Sequence, residues 1–172
     1  GETLPESLAA FKDVKLDLEF GKVTTIYTLH QLDCEKVVVV GLGDGKKNIK
    51  EAFSKVEADD YLVYVTENTA YAAGFGLVYG AYSYKETKVY DLESDGFKDE
   101  FEKGKTVARI VNHAREMSDM PANFLTPDHL VDEAKMVAEK YGMEIEVLAQ
   151  DDLEEIGAGA LLAVNQGSDR PC

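Results

Sequence analysis

Basic residues are scarce in this 172-residue sequence. It contains 18 Lys and Arg against 33 Asp and Glu, which gives a formal net charge of -15. Because nucleic-acid phosphates are bound through clustered Lys and Arg, this charge argues against a nucleic acid as the main partner. It argues equally against an anionic membrane surface. A bound metal cation and an acidic surface that maintains solubility are both compatible with it, and the second is the commoner reason.

Cysteines and long apolar runs are also scarce. Cys34 and Cys172 are far apart in sequence, and neither lies in a CxxC pair or a metal-ligand spacing. Two isolated cysteines fit a reducing compartment better than a secreted disulfide scaffold. No apolar run approaches the ~20 residues of a membrane-spanning helix, and no signal peptide is visible at the first residues. We therefore expect a cytoplasmic protein with no membrane partner.

Apolar patterning in the first part of the chain predicts strands that alternate with helices. The predicted strands are 14–20 and 22–30, paired antiparallel about Gly21, then 36–42, 60–66 and 87–92, and the predicted helices are 47–58 and 67–84. The strands at 36–42 and 60–66 are continuous apolar runs, typical of strands buried on both faces. This alternation is typical of an α/β layered domain with a mixed sheet flanked by helices.

Three glycines interrupt the predicted helix at 67–84, namely Gly74, Gly76 and Gly80. Each would cost ~1 kcal/mol relative to Ala in a helix interior. We expect close packing to explain them, because a helix that approaches a neighbour closely needs small residues at the contact.

The second part begins with a long helix predicted over 97–118. Its apolar stripe consists of Val107, Ile110, Val111, Ala114 and Met117. Prolines at 121 and 127 interrupt the helical pattern.

Thr126 is then a helix N-cap, with Pro127 in the first helical position. This helix ends at Gly142, and its predicted buried residues are Leu130, Ala134, Val137, Ala138 and Tyr141. Residues 143–149 and 159–168 are predicted strands on either side of a short helix capped by an Asp.

One helix and two short strands make a poor independent core. The sequence therefore predicts three parts: an N-terminal α/β domain at 1–96, a linker helix at 97–120, and the truncated start of a second α/β domain at 121–172.

The stretch "KVVVVGLGDGKK" at 36–47 resembles two phosphate-binding motifs and satisfies neither. Gly41 and Gly43 match the dinucleotide pattern GxGxxG, but Lys46 occupies the third glycine position. For a P-loop the glycines are one residue too close, and Lys47 replaces the hydroxyl that would hold magnesium. Two interpretations stay open: a phosphate contact, or glycines that supply unusual backbone angles where a strand meets a helix.

Other polar residues form no recognisable catalytic pattern. The acidic pairs Asp59–Asp60, Asp151–Asp152 and Glu154–Glu155 are either metal ligands or, more commonly, solvated charge and helix N-terminal acids. The histidines, His30, His113 and His129, have no metal-ligand spacing such as HExxH. The sequence also contains no Gly-x-Ser-x-Gly elbow.

Two motifs in the second half resemble the leucyl aminopeptidase family, also called cytosol aminopeptidase. "MPANFLTP" at 120–127 is similar to the family's "N-T-P-A-N-x-L-T-P", with Met120 in place of the usual Thr, and "GAGALLAVNQGS" at 157–168 matches its "G-M-G-A-L-L-A-V-x-Q-G-S". "KVVVVGLG" and "AAGFGLVYGAYSYKETK" in the first half resemble the family more loosely. The resemblance covers nearly the whole chain.

The resemblance implies a two-domain metalloenzyme with a small macro-domain-like N-terminal domain. Its larger C-terminal domain carries two divalent metal ions, zinc or manganese. Such enzymes remove N-terminal residues, often leucine, from peptides and assemble as hexamers. The ions polarise the scissile carbonyl and activate a bridging water.

The family's metal-ligand motifs, "V-G-K-G-x-x-F-D-x-G-G" and "N-T-D-A-E-G-R", do not occur in these 172 residues. "ENTAYAAG" shares only Asn68 and Thr69 with the second motif. We therefore expect no catalytic, cofactor-binding or metal-ligating residue here, and no activity from this chain alone. The alternative function is a macro-like module that binds ADP-ribose at Gly41–Gly45 or supports oligomer assembly.

Overall fold

The computed structural model describes residues 13–30, 32–45 and 47–170. Lys46 and Cys172, both considered in the sequence analysis, lie outside the described residues. The chain divides into two compact units, residues 1–116 and 117–172, and each is described by itself.

The first unit contains all four strands of the described chain. Its elements are β1 (Val23–Tyr27), β2 (Lys36–Val40), α1 (Ile49–Phe53), β3 (Tyr61–Tyr64), α2 (Ala70–Gly80), β4 (Leu92–Asp95) and most of α3 (Lys98–Asp119). β1 pairs antiparallel with β2, with Val23 opposite Val40, and β3 pairs parallel with β4, with Tyr61 opposite Leu92. The α/β class is confirmed, but in the described residues the two kinds of pairing lie in two small sheets rather than one mixed sheet.

Three strand predictions are wrong in detail. Residues 14–20 form no strand; the turn at Gly21 is present, with φ of 75°, but β1 takes the valine-rich β2 as its partner. The strand predicted at 87–92 begins only at Leu92, and Val89 before it is 91 % exposed. β3 is not covered on both faces, because Leu62 is 59 % exposed.

Close packing through glycine is confirmed. A Cβ atom at Gly74, Gly76 or Gly80 would come closer than 3.0 Å to backbone atoms of neighbouring segments, at Phe101, Lys50 and Ser54 respectively. α2 therefore contacts α1 and α3 backbone to backbone. The core beside it consists of Phe53, Val56, Ala70, Ala73, Leu77, Leu92 and Phe101.

α3 is present as predicted, but its apolar stripe is not the face that is buried. Its buried residues are Phe101, Gly104, Lys105, Ala108 and Asn112. Ile110, assigned to the predicted stripe, is 64 % exposed. Gly104 lies where α3 meets the backbone of α2, because a Cβ atom there would come closer than 3.0 Å to the Tyr71 carbonyl.

The second unit is helical in the described residues. It contains α4 (Pro127–Tyr141), α5 (Gln150–Glu155) and α6 (Gly159–Asn165). Thr126 caps α4, since its hydroxyl accepts a hydrogen bond from the His129 amide at 3.3 Å, and Gly142 ends the helix at φ 64°. The predicted helix, its cap and its end are therefore confirmed.

Three other predictions for this unit are wrong. Residues 143–149 form no strand, and residues 159–165 of the predicted second strand form α6 instead. The run "GALLAVN" is rich in Ala and Leu, which are strong helix formers. Of the predicted buried residues on α4, only Ala138 is buried. Within the described residues, no helix combines the length and apolarity needed to span a membrane.

Candidate functional site

The glycine loop that follows β2 uses its glycine amides internally. The Gly41 amide donates to the Lys22 carbonyl at 2.8 Å, the Gly43 amide to the Leu18 carbonyl at 3.1 Å, and the Gly45 amide to the Leu42 carbonyl at 3.3 Å. A phosphate-binding loop presents such amides to the anion. These three amides are therefore not available to a phosphate.

The same loop needs glycine for its backbone shape. Gly43 and Gly45 have φ of 60° and 73°, a region in which glycine carries no steric penalty. A Cβ atom at Gly41 would overlap the Glu19 carbonyl. Lys47 places its ammonium 5.1 Å from the centre of the Phe20 ring. The geometry favours the conformational interpretation of the glycines over a phosphate contact.

The acidic pair at the start of β3 joins neighbouring strands. Asp59 accepts from the Lys36 ammonium at 2.5 Å, and Asp60 accepts from the Asp91 amide at 2.7 Å. The hydrogen bond from Lys36 lowers the pKa of Asp59, and the same bond raises the pKa of Lys36. Burial raises the pKa of the neighbouring Tyr61 hydroxyl. These carboxylates hold β2, β3 and β4 together and are not gathered as metal ligands.

The acidic pairs near α5 are local helix features. Asp152 accepts from the Ala149 amide at 2.8 Å, which caps the helix, and Glu154 accepts from the Gln150 side chain at 3.3 Å. Asp151 and Glu155 are exposed. Across the described ranges, no three His, Cys, Asp or Glu side chains are grouped so that they could hold a metal ion.

The three histidines are not gathered at one site, although His30 lines the same depression as Cys34. His129 lies with Nδ1 2.7 Å from the Phe124 carbonyl, where it closes the turn before α4, while His113 is exposed on α3. His30 and Cys34 line an open depression of about 580 Å³ between β1 and β2, and both are exposed. The carbonyl of Cys34 accepts a hydrogen bond from the buried Thr28 hydroxyl. Within the described residues, neither the three histidines nor the Cys34 thiol has an arrangement for nucleophilic catalysis.

Sequence reasoning assigned no role to two residues that the structure shows as an anchor on the C-terminal end of α2. Asn112 donates to the Val78 carbonyl at 2.8 Å, and Arg115 donates to the Tyr79 carbonyl at 3.0 Å. The Arg115 guanidinium also lies 4.3 Å and 4.1 Å from the ring centres of Tyr79 and Tyr82. Carbonyls at a helix C-terminus lack intrahelical hydrogen-bond donors, and side chains of α3 donate to them instead. The signal in sequence was an Asn and an Arg three residues apart.

A comparison with family models matches residues 112–172 to the "Cytosol aminopeptidase family, catalytic domain". A probable cytosol aminopeptidase of Exiguobacterium sibiricum is 43 % identical over 107 residues, which are 58 % of this chain and 22 % of that protein. A probable cytosol aminopeptidase of Aromatoleum aromaticum is 26 % identical over an alignment of 194 residues, covering 91 % of this chain and 39 % of that protein. The chain thus spans less than half the length of these curated relatives.

Solved structures share the fold. The bottromycin maturation enzyme BotP superposes with a TM-score of 0.73 at 20 % identity, over 99 % of this chain and 42 % of that one. The same enzyme in complex with Mn gives a TM-score of 0.72 at 21 % identity, over 99 % and 41 % of the two chains. At this level of identity the likeness concerns the fold alone.

Proposed function

The chain belongs to the cytosol aminopeptidase family, and on that basis we propose that it is the N-terminal part of a metal-dependent aminopeptidase that releases N-terminal residues, leucine among them, from peptides. The observation that carries the proposal is the family match over residues 112–172, which contains the sequence motif at 157–168. The proposal extends to two Mn or Zn ions in the full-length enzyme, to a hexamer and to a cytoplasmic location. The proposed domain division is a macro-like domain at 1–96, a linker helix at 97–120 and the start of the catalytic domain at 121–172.

The residues that the structure describes do not fit a metal centre. The carboxylates of Asp59, Asp60 and Asp152 are engaged with Lys36 and with backbone amides, and the described residues hold no cluster of metal-ligating side chains. Both metal-ligand motifs of the family are missing from the 172 residues. We therefore assign no catalytic step to any residue of this chain.

The experiment compares the 172-residue chain with the full-length protein. Each is assayed on leucine p-nitroanilide with added Mn²⁺ or Zn²⁺, and the full-length protein is assayed again after chelation. We expect turnover only from the metal-loaded full-length protein. Turnover by the 172-residue chain, or stoichiometric tight metal binding to it, would contradict the assignment of the active site to other residues.

Substrate preference and assembly need separate measurements. A panel of aminoacyl p-nitroanilides, assayed with the full-length enzyme, tests the preference for leucine. A faster rate on another aminoacyl substrate would contradict that preference. Light scattering on the full-length protein measures its mass in solution, and a monomeric mass would contradict the proposed hexamer.

The alternative function is an ADP-ribose-binding module at Gly41–Gly45, or a module that supports assembly. The internal bonds of the Gly41, Gly43 and Gly45 amides count against a phosphate contact there. Calorimetry with ADP-ribose tests this alternative. Saturable heat would support binding, and the absence of heat at millimolar ligand would contradict it.

A further inference from the structure

Strand β1 is the outer strand of its sheet. Its partner β2 faces the rest of the first unit, since Val38 and Val40 pack against the core and Lys36 forms an ion pair with Asp59. In the part of the chain that the structure describes, β1 pairs with β2 alone. One edge of β1 is therefore turned away from its partner.

The backbone groups on this edge can be identified from the register. The Gly41 amide donates to the Lys22 carbonyl at 2.8 Å, and the Thr28 amide donates to the Glu35 carbonyl at 2.9 Å. Because residues of an antiparallel strand alternate between facing the partner and facing away, the even-numbered residues of β1 bond to β2. The residues that face away are Val23, Thr25 and Tyr27. Within the described residues, their amides and carbonyls bond to no other segment.

This edge lacks the features by which proteins usually prevent a strand edge from pairing with another chain. Those features are charged residues, prolines and bulges. The strand sequence VTTIY contains no charge and no proline, and its pairing with β2 runs from Val23 to Tyr27 without a bulge. Strand β4, by contrast, carries exposed Glu93 and Asp95. The edge of β1 is therefore suited to pair with a further strand.

A second copy of β1 fits this edge in one register. Antiparallel pairing about a two-fold axis at Thr25 places Val23 of each copy opposite Tyr27 of the other. All outward amides and carbonyls of both copies then have partners. A shift by two residues places Tyr27 opposite Gly21 or Val23 opposite Leu29, where φ values of 75° and 49° end the extended backbone.

The side chains that this register brings together are compatible. Val23 and Tyr27 are 36 % and 64 % exposed and lie on one face of the strand with Thr25. Cross-strand pairs of an aromatic with a β-branched residue, and of two threonines, stabilise antiparallel strands. Residues 21–30 contain no Asp or Glu, so no carboxylates meet at the contact. The net charge of -15 on each copy opposes association, but salt at physiological strength screens it beyond about 8 Å.

We propose that the free edge of β1 is a contact between two copies of this protein, paired antiparallel about Thr25 so that two β1–β2 sheets become one. The inference goes beyond the proposed function and does not rest on aminopeptidase activity. Two five-residue strands bury less than the ~1,200 Å² of a stable interface. We therefore expect this contact alone to be weak.

The test is disulfide cross-linking of the full-length protein carrying Thr25→Cys, with the joined peptides identified by mass spectrometry. Opposite residues in a hydrogen-bonded pair have Cα atoms about 5.5 Å apart, within the range of about 4.4–6.8 Å that a disulfide spans. Position 25 joined to position 25 necessarily links two copies. Val23→Cys is the matched control, because it lies on the same exposed face but about 14 Å from its own counterpart. We expect linkage at position 25 and little at position 23.

Equal linkage at both positions would indicate random collision and would overturn the proposal. Absence of linkage at position 25 would also overturn it, including the case in which another segment of the same polypeptide covers the edge. A hexamer without this linkage would contradict the β1 contact alone. Linkage in a protein without aminopeptidase activity would contradict the proposed function and leave the β1 contact supported.

A second experiment tests the hydrogen bonds of the contact. Copies with Val23→Cys are mixed with copies with Tyr27→Cys, which the register places opposite each other. Thr25→Pro in both removes the central amide, and proline is tolerated where a strand amide faces away from its neighbour. We expect Thr25→Pro to lower the yield of linked protein at least about tenfold and Thr25→Val to leave it unchanged.

Equal yields from Thr25→Pro and Thr25→Val would overturn the proposal. If circular dichroism shows that Thr25→Pro does not fold, Thr25→Lys replaces it, because it places like charges opposite each other at the axis. We expect Thr25→Lys to lower the yield about fivefold. An unchanged yield would likewise contradict the contact.

Discussion

Gly104 on α3 offers a sharp test of the backbone contact between α3 and α2. In an exposed helix interior, Gly→Ala stabilises a protein by ~1 kcal/mol. At Gly104, however, an added Cβ would come closer than 3.0 Å to the Tyr71 carbonyl oxygen and lie 2.8 Å from the Phe75 amide nitrogen. Both obstructing atoms belong to the backbone of α2, so no rotamer change relieves the overlap. We therefore expect Gly104→Ala to destabilise the protein.

The magnitude follows from two opposing effects. Overpacking a close contact costs about 1–3 kcal/mol, and two backbone atoms in the way place this site at the upper end. Subtracting the ~1 kcal/mol gain in helix propensity leaves a net loss of about 2 kcal/mol. For a unit of roughly a hundred residues, that loss corresponds to a fall in Tm of about 8–16 °C. Lys105 and Asn112 lie on the same buried face, so a shift of α3 also disturbs their hydrogen bonds.

The assay is thermal unfolding followed by near-UV circular dichroism. Tyr141 is the sole tyrosine after residue 116, so the tyrosine signal reports mainly on the first unit. Thr106→Ala is the matched control, because Thr106 is exposed two positions away on the same helix, and we expect no loss of stability from it. A Gly104→Ala variant as stable as the wild type would refute the reasoning.

Three further substitutions test other contacts. Arg115→Lys keeps the charge but loses the planar group beside the rings of Tyr79 and Tyr82. We expect the free energy of unfolding measured in urea to fall by about 1 kcal/mol. An unchanged urea midpoint would show that the charge alone suffices. Thr126→Ala removes the cap of α4 and is expected to cost about 1 kcal/mol, whereas Thr126→Ser should retain most of the stability in far-UV melts. The lowered pKa of Asp59 means that its contribution is complete above about pH 3.9, the unfolded value, and is lost as the pH falls through the lower folded value. We therefore expect Asp59→Asn to have a lower free energy of unfolding than the wild type at pH 6. The difference between the two proteins should become smaller at acidic pH, where Asp59 of the wild type is protonated. A difference that does not change with pH would count against the ion pair.

Local signals in the sequence were enough to predict several elements. The Thr126–Pro127 start and the Gly142 end of α4 were predicted correctly, because caps depend on adjacent residues alone. The glycines of α2 correctly indicated a close contact, although the sequence did not name the segments that approach.

Features that depend on partners could not be predicted in the same way. The buried face of α3 carries Phe101 and Ala108, whereas the apolar stripe read from the sequence lies on a different side of the helix. The run at 159–165 is a short apolar stretch, for which periodicity does not separate strand from helix. Sequence also left open the role of the loop at Gly41–Gly45, since the carbonyls of Leu18 and Lys22 that take its amides come from a different part of the chain.

The two strand pairs of the first unit differ in how much chain they must close. Tyr27 and Lys36, at the near end of the β1–β2 pair, are nine positions apart, whereas Tyr61 and Leu92 in the β3–β4 pair are thirty-one positions apart. Loop-closure entropy grows with the logarithm of length, so the second pairing costs about 1 kcal/mol more than the first. α2 lies inside that longer connection, and its buried residues Ala70, Ala73 and Leu77 provide the apolar contact that offsets the extra cost. Pairing of β3 with β4 is therefore tied to the docking of α2, whereas β1 and β2 can associate through a short connection of their own.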